Sequence, residues 1–204
     1  MYRPPLYKLG GARIQTTVVY KSNNDPIDDI VQTFLSNAGN KKKIIGLRTE
    51  RAQNERRKYQ TALLQLCDGD HCLIVQVPED KNLPHSLFNF LNLPDFSFVG
   101  IGINKTLANL ENEIGLTCSN AVEVGSSSWD LLNKTEKKCR IVRKFVSVTK
   151  PTSAISQDWK YLFFPNQIEL ATANCLLCIQ NWEHAHGYKL IDSRRLFVFF
   201  SFFV

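Results

Sequence analysis

Ile44-Ile45-Gly46-Leu47-Arg48-Thr49-Glu50-Arg51 decides the fold, read together with Thr61-Ala62-Leu63-Leu64-Gln65-Leu66-Cys67-Asp68-Gly69-Asp70-His71-Cys72-Leu73-Ile74-Val75-Gln76-Val77 downstream. Short apolar runs bounded by turn residues read as strands, and Asp-Gly between two such runs is a strong hairpin signal. Lys43 to Thr49, Thr61 to Cys67 and His71 to Val77 are therefore expected to form an antiparallel meander. Upstream, Ile14 to Tyr20 alternates and is rich in Thr and Val, which makes it a further strand. Asp25-Pro26 opens a helix whose apolar stripe is Ile27, Ile30, Val31, Phe34 and Leu35, and Gly39-Asn40 ends it.

After the meander the pattern changes to helix and strand in alternation. Pro84 to Leu91 reads as helix, Ser97 to Ile103 as strand, and Lys105 to Glu113 as a helix stopped by Gly115. Asn120 to Val124 is a short strand, Lys137 to Val148 carries a helical stripe, and Lys150 to Ser156 is a polar loop. The last helix runs from Pro165 to about Glu183. A meander followed by alternating units implies an α/β protein with a mixed sheet and helices on both faces. Residues 1–12 read as a basic tail, 13–187 as the folded domain, and 188–204 as an atypical Phe-rich tail. The stretch Leu196 to Val204 is too short to span a bilayer as a helix, so no membrane partner is expected. Its composition fits a core-docking strand, a partner-binding tail or a mis-predicted gene end.

The chain has 204 residues, enough for one full-sized core and too few for two ordinary domains. It is 44% apolar and 22% charged, which excludes a disordered chain. A formal net charge of +6 suits a polyanionic partner and suits an ordinary basic surface equally well. The start, Met1-Tyr2-Arg3-Pro4-Pro5, lacks an apolar signal region, which points to a cytoplasmic or nuclear setting and free thiols. Cys175 and Cys178, with His184 and His186 beyond them, have a zinc-like spacing. No second Cys-x-x-Cys exists and the pair sits in an apolar helical run, so they read as buried thiols.

Four segments, in order, resemble the plant Werner-like branch of the RNase D, or DEDDy, 3′–5′ exonuclease family. Ile44 to Arg51 stands where that family has an apolar strand ending in Gly-Leu-Asp-x-Glu-Trp. Ala62 to Cys67, with His71-Cys72-Leu73-Ile74, matches its Leu-Gln-Leu-Cys hairpin. Phe98-Val99-Gly100-Ile101-Gly102-Ile103 precedes a helix in which Thr106 and Leu110 stand where the family has Asp-x-x-x-Leu. Gln167 to Asn174 stands where it has Tyr-Ala-x-x-Asp. The resemblance runs from residue 14 to residue 187. It implies an RNase H-like fold, a five-stranded mixed sheet plus an extra N-terminal strand, and phosphodiester hydrolysis as the ancestral chemistry.

In that family four carboxylates hold two Mg²⁺ or Mn²⁺ ions, one activating water and the other steadying the leaving oxygen. Carried over, the first Asp is Arg48, the Glu is kept as Glu50, the second Asp is Thr106 and the last is Asn174. The Tyr that positions the water is Leu170. The resemblance thus implies a degenerate site with Glu50 the one retained acid and no metal or other cofactor. Glu111, Glu113 and Glu169 are nearby acids, but their offsets on a helix do not return a carboxylate to the lost positions. Read without the family, Arg48 and Glu50 are a same-face salt bridge on a strand, and Thr106 and Asn174 are ordinary polar helix residues.

Arg51, Arg56, Arg57 and Lys58 cluster after the first motif strand, where the family has a loop beside its cleft, and read as phosphate contacts or as a solvated loop. Trp159 and Tyr161 read as base-stacking residues or as a buried pair. The expectation is an exonuclease-family domain that binds single-stranded nucleic acid, with Arg48 joining the basic cluster. The alternatives are an active exonuclease with an unforeseen ligand set, and a structural subunit in a homo- or hetero-oligomer with active paralogues.

Overall fold

The computed structural model describes residues 6–9, 12–20, 25–53, 58–124 and 165–186. Seven strands form one sheet in the order β1-β2-β5-β4-β3-β6-β7. These are β1 (Leu6–Leu9), β2 (Ala12–Val19), β3 (Ile44–Gln53), β4 (Tyr59–Cys67), β5 (His71–Gln76), β6 (Ser97–Gly100) and β7 (Ala121–Glu123). The helices are α1 (Asp25–Ser36), α2 (His85–Leu91), α3 (Ile103–Ile114) and α4 (Pro165–Ala185).

The meander is present as β3-β4-β5, each pair antiparallel. Its tight turn forms because Asp68 Oδ1 accepts the N–H groups of Asp70 and His71 at 2.9 and 2.7 Å, while Gly69 takes φ 100°. β6 lies parallel to β3, and β7 parallel to β6. β2 lies parallel to β5.

Two differences from the sequence reading stand out. Residues 6–9, read as part of a tail, pair antiparallel with β2 and extend the sheet beyond one extra N-terminal strand. Only the partner strand supplies the hydrogen bonds that make so short a run a strand. The strand expected from Ser97 to Ile103 stops at Gly100, because Gly102 turns to φ 67° and opens α3. The expected helix at Lys137 to Val148, the loop after it, Trp159, Tyr161, Arg56, Arg57 and the Phe-rich end lie outside the described residues.

The alternation of β3 sorts its side chains between two cores. Ile45 and Leu47 face α1, α2 and α3 with Phe34, Phe90 and Phe98. Ile44 and Ala52 face α4 with Leu63, Cys67, Ile74 and Ala171. α4 comes close because its inward face is small and because Gly46 has no side chain. A methyl group there would fall inside contact distance of the Cys175 carbonyl oxygen. Among the described residues no helix is long and apolar enough to cross a membrane.

Candidate functional site

Arg48 and Glu50 leave β3 on the α4 face, as the two-residue period requires. Arg48 Nε lies 3.4 Å from Glu50 Oε1, a long ion pair, with the Arg48 side chain 33% exposed. Asn174 is buried on α4, next to Cys175, whose thiol donates to the Gly46 carbonyl at 3.1 Å. Cys178, one turn on, donates toward the Asn174 carbonyl at 3.5 Å. Burial pushes the Cys178 thiol up, against the pull of the nearby Arg48 cation. Burial likewise raises Cys175, to about 11. Neutral, buried thiols bonded to backbone carbonyls account for the Cys-x-x-Cys spacing.

The other two family positions are placed less closely. Thr106 sits on the first turn of α3, a helix that packs against the opposite face, and its N–H donates to the Gly102 carbonyl at 3.1 Å. Leu170 lies within α4. Arg48 and Glu50 therefore lie on the face that α4 covers, with Asn174 on that helix, while Thr106 belongs to a helix of the opposite face.

Sequence reasoning missed Glu123. Parallel register sets Gly46 opposite Val99 and Gly100 opposite Glu123, so β6 and β7 end level with the middle of β3, just short of Arg48. The Glu123 carboxylate accepts the N–H groups of Gly102 and Ile103 at 2.7 and 2.8 Å. It closes the start of α3, where Gly102 offers no side-chain cap, and a carboxylate suits the positive end of a helix. Its charge adds a little to the upward push on the Cys178 thiol. No local motif announces such a residue.

The basic cluster is corrected at Arg51, which is a strand residue and not part of a loop. The register of β3 on β4 shifts between Glu50 and Arg51, a β-bulge. Next to Glu50 in the strand and so on the opposite face, Arg51 reaches Glu113 on α3, with Nη2 2.6 Å from Oε1 and 2.7 Å from the Tyr59 carbonyl. Glu113 Oε2 accepts the Thr61 N–H at 2.7 Å. This guanidinium is committed to holding the β3–β4 hairpin against α3. Lys58 is exposed just before β4.

No protein-family model matches the chain, and no curated protein matches its sequence. Solved structures do match its shape. The catalytic core of RRP6 from Trypanosoma brucei superposes with a TM-score of 0.60 at 14% identity, over 90% of this chain and 49% of that one. The apo form of a nuclease gives 0.54 at 17% identity, over 86% and 84%. The EXD2 exonuclease domain gives 0.45 at 17% identity, over 85% and 89%.

The fold is the RNase H-like one, shared with the RRP6 core and the apo nuclease. The described helices flank a mixed seven-stranded sheet, three on one face and one on the other, as expected for that class. The chain spans about half the length of the RRP6 core it matches. Within the RNase H-like sheet the Arg48–Glu50 pair sits toward the C-terminal ends of the parallel strands, where open α/β sheets place their ligand crevices.

Proposed function

We propose that this chain is an exonuclease-fold domain that binds single-stranded nucleic acid through its phosphates and has lost metal-dependent hydrolysis. The observation that carries the reading is the Arg48–Glu50 pair on the α4 face of an RNase H-like exonuclease sheet. Two divalent ions need hard, mainly anionic oxygen donors. Glu50 is paired with a guanidinium, and both oxygens of Glu123 are taken by N–H groups of α3. Asn174 brings an amide where the family resemblance expects a carboxylate. Among the described residues no group of three or more His, Cys, Asp or Glu is placed to hold a metal ion. The donor set does not fit such a pair.

The same donors fit a phosphate. An ion pair this long and still open to solvent is worth only about 0–1 kcal/mol, so a phosphate oxygen can displace Glu50 from Arg48. A guanidinium then grips the phosphate through two parallel N–H groups. Lys58, Arg56 and Arg57, between β3 and β4, are the further cations of this reading. Fluorescence anisotropy with a labelled single strand tests it. Binding should be weak at physiological salt, insensitive to base sequence, and the same in EDTA as in Mg²⁺. Arg48→Ala should flatten the log affinity against log salt slope by about 0.7. Metal-dependent release of mononucleotides by purified protein, lost on Glu50→Gln, would overturn the proposal.

A further inference from the structure

Gln65 is fully buried, and neither its amide nitrogen nor its amide oxygen has a hydrogen-bond partner. A buried polar group left unpaired costs about 1–3 kcal/mol. Gln65 lies on β4 directly opposite Arg48 on β3, with Ile74 opposite it on β5. Its neighbours along the strand in the two-residue period, Leu63 and Cys67, belong to the core beneath α4. Gln65 therefore projects toward α4 on the same face as Arg48. Directly opposite side chains have Cβ atoms about 4.5–5.5 Å apart, well within the reach of an arginine. Among the described residues the one side-chain partner of Arg48 is Glu50, at the long distance of 3.4 Å.

We infer that Gln65 is a positioning residue of the phosphate site, its amide oxygen holding the inner edge of the Arg48 guanidinium when a phosphate occupies the outer edge. This inference rests on the phosphate-binding reading above. Arginine has five N–H donors in a rigid fork and no acceptor. Once a phosphate displaces Glu50, the N–H groups facing the sheet need an acceptor, and Gln65, directly opposite on the same face, is a buried one left without a donor among the described residues. The exchange pairs the amide oxygen that stands unpaired in the free protein. It also aims the two outer N–H groups at the ligand, so less rotamer freedom is lost per phosphate contact.

The test uses the full chain, a labelled single-stranded oligonucleotide in EDTA across a salt series, and a urea midpoint for each variant. Gln65→Leu, which removes the unpaired amide at similar volume, should fold at least as stably as wild type. It should weaken binding by the same factor as Arg48→Ala and flatten the salt slope by about 0.7. Added to Arg48→Ala it should weaken binding no further, because it acts through that side chain. Should Gln65→Leu fail to fold, Gln65→Met carries the same comparison. Wild-type affinity in a folded Gln65 variant, with Arg48→Ala weakened, removes Gln65 from the site and leaves the phosphate reading standing. Additive losses in the double variant also overturn the positioning role. A wild-type protein that binds no oligonucleotide at low salt overturns both.

Discussion

Arg51 shows how strand alternation sends two neighbouring charges to opposite faces of the sheet. Glu50 faces α4, and Arg51, the next residue of the strand, points to the other face and reaches Glu113 on α3. Burial pushes the Glu113 carboxyl up, but the Thr61 N–H and the Arg51 guanidinium outweigh it and hold it below its ordinary value. A carboxyl lowered in the folded state adds stability above its unfolded pKa and loses it as pH falls through the folded one. Arg51→Ala should therefore cost about 1–3 kcal/mol near neutral pH. It should cost clearly less in acid, below both values. Urea unfolding of both proteins at the two pH values checks this, and an equal loss at both would show that the ion pair contributes nothing.

At the scale of elements, the contact of α4 with β3 sets the geometry of the candidate site. Asn174, Cys175 and Cys178 reach the Arg48 region only because the helix backbone lies against Gly46. In Gly46→Ala the new methyl group meets the Cys175 carbonyl and stands 3.2 Å from Ile179 Cγ1, so the helix has to retreat. Overpacking of this kind costs about 1–3 kcal/mol. The urea midpoint should fall accordingly, and oligonucleotide affinity should fall with it at temperatures where the variant is still folded. An unchanged midpoint would mean that α4 is free to shift.

The positions that the family resemblance carries over are drawn from β3, α3 and α4, so building a metal site on them is a property of the whole molecule. Arg48→Asp, Thr106→Asp and Asn174→Asp together, with Leu170→Tyr, should create a protein whose melting temperature rises in millimolar Mg²⁺ or Mn²⁺. Ligand that binds only the folded state stabilises it by mass action. Each single restoration should show no metal-dependent shift, because residues that hold a metal as a unit are strongly non-additive. A shift produced by Thr106→Asp alone would show that the ligand set has been misassigned.

The meander, the turn at Asp68-Gly69-Asp70 and helices α1 to α4 were legible because apolar period and turn chemistry are local properties. The side-by-side placement of Arg48 and Glu50 was legible for the same reason, since strand side chains alternate. β1 was not, because a four-residue strand exists only through the neighbour that pairs with it. Nor were the packing of α3 that brings Glu113 to Arg51, the register that brings Glu123 to the start of α3, and the burial of Gln65 opposite Arg48. Each depends on residues far apart in the chain meeting across a register or a packed face. Local sequence determines which segments are strands and helices; which charges find partners, and which polar groups are left without one, is decided only when those segments pack.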